Sequence, residues 1–149
     1  FKMKKFILLM TLFLLTETIS LSNTIPNVWT VGVGSGILYY QIFDIKGQQL
    51  EIKCDSNEYK LTEATFYDNN GKEYIYKNFA LLVDGNAYYD LKAKEGGWRQ
   101  EVEWDKFVKA ISKGKNIEVY INSKSVAKFT PTPESIRDQI SSVAECTVY

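Results

Sequence analysis

Residues 29–40 read "WTVGVGSGILYY", with three glycines in five positions between a β-branched run and a pair of tyrosines. Two architectures compete for this stretch. A dinucleotide-binding α/β fold needs G-x-G-x-x-G after a strand, with a helix starting inside the motif, and a P-loop needs a lysine. Here the spacing is G-x-G-x-G, no lysine follows, and "ILYYQIF" (37–43) has the β-branched and aromatic composition of a strand. The stretch therefore reads as a hairpin turning at Gly34-Ser35-Gly36, and the fold as antiparallel β.

The same signals continue along the chain. In "QLEIKC" (49–54), Leu50, Ile52 and Cys54 fall on one face and Gln49, Glu51 and Lys53 on the other. "EYKLTEATFY" (58–67) is a further strand, closed by the turn residues Asp68-Asn69-Asn70-Gly71. "FALLVDGNAYYDL" (79–91) is a hairpin about Asp84-Gly85, and "KAKEGGWRQE" (92–101) reads as a loop. Trp104, Phe107, Val108 and Ile111 then recur at helical spacing, which predicts a helix over 103–113 ended by Gly114 in a left-handed conformation. Ile117, Val119 and Ile121 alternate as a strand, Asn122-Ser123 turns the chain, and "SVAKFT" (125–130) returns. Thr132 as cap and Pro133 at the first helical position predict a last helix over 133–145. The expected fold is mainly β (α+β): an antiparallel β-sandwich, bent sheet or partial barrel of seven to nine strands, with two helices near the C-terminus.

Composition bears on where such a domain works. Lys4 and Lys5 precede the uncharged block "FILLMTLFLL", and small residues Ser20 and Ser22 follow, the three parts of a cleavable export signal. The apolar block is shorter than the roughly 20 residues that span a bilayer. The expectation is a signal peptide over 1–22, removed to leave a single β-rich domain over 23–149 without a membrane anchor. That domain carries 15 basic and 17 acidic residues, which offers no electrostatic footprint for nucleic acid. Its two cysteines, Cys54 and Cys146, are expected to form one disulfide, as an even count in an exported chain implies. Periplasmic or extracellular localisation follows from the two together.

The chain contains no histidine, so Ser-His and Cys-His nucleophile systems and histidine-containing zinc sites are excluded. Neither a metal nor a cofactor is expected; "DNNGKE" (68–73) lacks the frame of a calcium loop. Carboxylates remain: Asp44, Asp55, Asp84, Asp90, Glu101, Glu103 and Asp105 are the candidates for a two-carboxylate glycan hydrolase. Binding material is more conspicuous than catalytic material. Adjacent tyrosines on a strand put one ring on each face, and Tyr120 faces away from Ile117, Val119 and Ile121, so Tyr40, Tyr89 and Tyr120 are candidate contact residues, with Trp98 and Arg99 in the glycine-containing loop.

In residues 84–146, "WDKFVKAISKGKNIEVYINSKSVAKFTPTPESIRDQI" resembles the invasion-associated locus B type of exported bacterial protein. In that family a helix, a glycine-preceded strand, a strand reaching a phenylalanine and a final helix follow one another. Phe107, Gly114, Val119, Phe129 and the 133–145 segment hold those places here. The resemblance implies a periplasmic or surface protein of bacteria without known catalysis, and it assigns no catalytic residue. The expected function is that of an exported, non-catalytic binding protein of the cell envelope that engages another protein, for example as an inhibitor or exclusion factor. A small-ligand or glycan-binding domain is the alternative, ahead of a carboxylate-dependent hydrolase.

Overall fold

The structure, a computed structural model, describes residues 24–149; the expected signal peptide over 1–22 lies outside the described residues. Among the described residues nine strands form two antiparallel sheets. The first is a meander of β1 (Thr30–Gly34), β2 (Ile37–Phe43), β3 (Gln49–Asp55), β4 (Glu63–Tyr67) and β5 (Glu73–Tyr74). The second comprises β6 (Ala80–Val83), β7 (Asn86–Tyr88), β8 (Ile117–Ile121) and β9 (Lys124–Phe129), in the spatial order β7-β6-β8-β9. The helix α1 (Trp98–Ile111) crosses between β7 and β8, and α2 (Pro133–Asp138) is followed by a 3₁₀ segment, Ile140–Glu145. The mainly β, antiparallel expectation with two C-terminal helices is borne out.

The glycine-rich stretch is a hairpin. Gly34 pairs with Ile37 across a two-residue turn in which Ser35 and Gly36 have φ of 52° and 79°. Asp84-Gly85 (47°, 88°) and Asn122-Ser123 (49°, 64°) turn the β6–β7 and β8–β9 hairpins in the same way. Two positive φ values in succession match the right-handed twist of the flanking strands. Asp84 does more than turn: its carboxylate accepts from the backbone N–H of Asn116 at 2.9 Å, fixing the approach to β8.

Both sheets and the helices share one core. Ile42, Leu50, Ile52, Ala64 and Phe66 come from the first sheet, and Leu81, Val83, Val119, Ala127 and Phe129 from the second. Trp104, Phe107, Val108 and Ile111 line the buried side of α1, as their spacing predicts. The disulfide joins Cys54 of β3 to Cys146 just beyond the 3₁₀ segment. Polar stitches cross between the sheets. Gln48, bonded through its side chain to buried Asp44 at 2.7 Å, also donates to the Val126 carbonyl of β9 at 3.0 Å. Asn27 donates its N–H to Phe43 and accepts from the N–H groups of Thr130 and Thr132, each within 2.9 Å. Asn27→Ala removes one acceptor and places alanine at φ 60°, so it should lower unfolding free energy by about 1–3 kcal/mol. An unchanged urea midpoint would contradict that role.

Three expectations about the helices are corrected. The first helix starts at Trp98, not 103, because the chain past Gly97 is Arg99-Gln100-Glu101, which are strong helix formers. Gly114 is not left-handed. Its glycine identity answers to packing, since a Cβ there would stand 2.8 Å from Val83 Cγ1. The last helix is broken at Gln139 (φ −121°, ψ −69°). Ser141 and Ser142 donate their hydroxyls to the carbonyls of Arg137 and Gln139, and such back-bonding competes with regular helical turns.

Candidate functional site

The second sheet has a free face. Period-2 alternation that buries Leu81, Val83 and Val119 turns Ala80, Leu82, Ala87 and Tyr120 to the opposite side. The register sets Ala80 opposite Tyr120 and Leu82 opposite Ala87. These residues floor an open groove of about 820 Å³, walled by Lys72, Glu73 and Tyr74 of the first sheet's β5 end and by the 77–79 segment. Small alanines beside tyrosines make the trough: each alanine leaves room next to a ring.

A second groove of about 480 Å³ borders the first, and Lys77, Ala87 and Tyr89 line both. Its other walls are Tyr76, Asp90, Glu95 and the α1 residues Arg99, Gln100 and Glu103. Tyr89, 66% exposed, therefore stands at the junction of the two. Its neighbour Tyr88 points the other way, half-buried against Phe107 with ring centroids 5.7 Å apart.

Charge in the site is divided between fixed and free groups. Lys92 lies 3.6 Å from both Glu63 and Glu95 and 5.1 Å from the centre of the Tyr76 ring, while the Tyr76 hydroxyl donates to Glu95. That hydrogen bond to a carboxylate is the main reason the Tyr76 phenol is pushed up to about 12, and it holds Glu95 below the usual carboxylate range. The Tyr120 phenol is raised in the same manner by its bond to Glu118. Both phenols thus stay protonated hydrogen-bond donors at physiological pH. Among the described residues neither Lys77 nor Arg99 takes part in an ion pair. With Lys72, whose ammonium lies 5.0 Å from the centre of the Tyr74 ring, they are the groove cations outside ion pairs and available to an incoming carboxylate.

Three of the five residues nominated from the sequence, Tyr89, Tyr120 and Arg99, are brought together on these grooves. Trp98 is 70% exposed, but it is the first residue of α1 rather than part of a loop, and it does not line either groove. Tyr40 is placed in the core. It stands opposite Ile52, is buried, and its hydroxyl is bonded to Ser142 at 2.8 Å, so its ring is closed to partners. Of the nominated carboxylates, Asp44, Asp84 and Asp105 accept backbone N–H groups, and Asp55 accepts from Asn57. Glu101 accepts from the Tyr149 hydroxyl. Asp90 and Glu103 alone of that set reach the second groove, where Glu103 also pairs with Lys106. Lys77, Tyr76, Ala80 and Ala87 were not singled out from the sequence. The alanines share strand parity with Tyr120 and Tyr89, a readable signal; Lys77 carries none, because the groove exists only once the sheets meet.

Comparison with known proteins points one way. The chain is 25% identical over 155 residues to the uncharacterized protein YfjT of Escherichia coli (strain K12), covering 91% of this chain and 94% of that protein. It is 24% identical over 143 residues to the uncharacterized protein YkfB of the same organism, covering 85% and 86%. No solved structure matches it. The YfjT family model matches residues 27–140, from the strand-entry clasp at Asn27 through both sheets to the 3₁₀ segment, and the chain belongs to that family.

Proposed function

We propose that this protein is an exported, non-catalytic binding protein of the bacterial cell envelope that holds an extended segment of another protein in the paired grooves. The observation that carries this reading is the junction at Tyr89: a large exposed phenol between two open troughs, beside the free cations Lys77 and Arg99. An open trough admits a continuous chain, whereas small molecules favour sites that bury most of their surface. Rigid amphipathic rings flanked by a cation are the composition of binding hot spots. The edge of β7 adds backbone recognition. In a two-residue hairpin the closing pair Val83–Asn86 is hydrogen-bonded, so the N–H and C=O of Ala87 point away from β6, toward a chain lying alongside. The disulfide is consistent with an oxidising compartment, and among the described residues no helix is long and apolar enough to cross a membrane.

A library of unstructured peptides, screened against purified oxidised protein, tests the reading. Selected peptides should bind the native protein at least tenfold more tightly than a Tyr89→Ala variant of equal thermal midpoint, a loss of about 1.4 kcal/mol or more. Equal affinity for both proteins would sink the groove as the site. Selective binding of free oligosaccharides, with no peptide retained, would replace a protein partner by the glycan-binding alternative. Export is checked separately, by the mass of the protein recovered from cells: processing near residue 22 is expected.

A further inference from the structure

The two sheets have four edges, β1, β5, β7 and β9; β7 borders the grooves, and two of the other three are guarded. β5 is two residues long and begins at Glu73 beside Lys72, and β9 carries Lys124 and Lys128. Short length and lysines are the usual devices against unwanted strand pairing. β1 has neither. It is five residues, "TVGVG", and no charged residue occurs anywhere from Thr24 to Phe43.

Register tells which of its backbone groups are free. Gly34 and Ile37 close a two-residue hairpin and are a hydrogen-bonded pair, so Gly34, Gly32 and Thr30 direct their N–H and C=O groups to β2. Val31 and Val33 direct theirs outward, and among the described residues no backbone bond to either is made on that side. Their side chains share one face and are 39% and 75% exposed. An open ladder and an exposed valine pair thus coincide on the same strand.

We propose that this edge pairs antiparallel with β1 of a second copy, about a two-fold axis at Gly32. In that register Gly32 faces its own equivalent, Val31 faces Val33 of the second copy, and each of the two valine pairs exchanges two N–H···O=C bonds. Four backbone bonds form, both valines of each copy gain a cross-strand valine, and the first sheet becomes continuous through the pair. The strand is its own complement in shape and in lack of charge, whereas a charged strand from another protein would meet no counter-charge here. The surface involved is smaller than the roughly 800 Å² per partner of standard interfaces, so the association is weak and concentration-dependent. It is independent of the grooves, whose floor lies on the other sheet.

Sedimentation of the oxidised protein from micromolar to near-millimolar concentration tests this, together with hydrogen exchange of the two outward amides. A monomer–dimer equilibrium is expected, with Val31 and Val33 N–H exchange slowing as concentration rises. Val33→Pro deletes an outward N–H while leaving the bonds of Gly32 and Gly34 to β2, and Val31→Lys adds a guard charge to the edge. Each should weaken association at least tenfold at an unchanged thermal midpoint; if the proline variant fails to fold, the lysine variant decides. A wild-type protein that stays monomeric throughout, with both amides exchanging freely, overturns the proposal. So does a dimer that survives Val31→Lys.

Discussion

Reducing the Cys54–Cys146 disulfide, or replacing both cysteines by alanine, should lower the unfolding free energy by about 4 kcal/mol, within a range of about 2–5. The bridge spans a sequence separation of 92, so the unfolded chain loses the freedom of most of its length when the bond is closed. In the folded state the same bond pins the segment after the last helix to β3. Both half-cystines are buried, with no other polar partner to satisfy, so alanine at each position removes the tether without orphaning a charge. Denaturant unfolding with and without reductant measures the effect. Coincident midpoints for oxidised and reduced protein would show that the tether is redundant with packing.

Trp104→Ala should cost a comparable amount, about 3–5 kcal/mol. The indole is buried, packs on Phe107 with ring centroids 5.4 Å apart, and donates its Nε1–H to the Cys146 carbonyl at 2.8 Å. Truncation leaves a cavity between α1 and the 3₁₀ segment and strips that carbonyl of its donor. Trp104→Phe separates the two contributions: it keeps most of the packing and should lose about 1–3 kcal/mol from the unmet acceptor and lost volume. Because the indole and the disulfide grip one residue, their losses should not add. A double-mutant cycle between Trp104→Phe and the paired cysteine replacement is expected to give an interaction energy of about 0.5 kcal/mol or more. Strict additivity would mean that the indole and the disulfide stabilise the fold independently of one another.

The turns and strand faces were legible because their causes are local. Ser35-Gly36, Asp84-Gly85 and Asn122-Ser123 accept positive φ, and alternation placed Leu50, Ile52 and Cys54 on one face, where all three are buried. Features with distant causes were not. The strand expected over 58–67 begins only at Glu63, because the Thr62 hydroxyl accepts from the Asp55 N–H and the chain between them turns back. Ile121 is only half-buried, because it is the last residue of β8, beside the Asn122-Ser123 turn, and packs at the margin of the core. Division into two sheets hinges on β6 pairing with β8 across the whole of α1, which no local pattern announces. The site divides similarly. Tyr89 and Tyr120 were readable as outward phenols, and the parity of Tyr40 with Ile42 marks it as inward once strand partners are known. The walls of the grooves come from segments that meet only through tertiary packing.

Sheet order also imposes a timetable. All five strands of the meander precede residue 75 and pair with sequence neighbours, so this half can zip up while the rest of the polypeptide is still being delivered. Cys54 is then already in its strand, as a thiol, long before its partner sulfur arrives. Oxidation is therefore the closing act of assembly, and any earlier capture of that thiol by another molecule would trap a half-built chain.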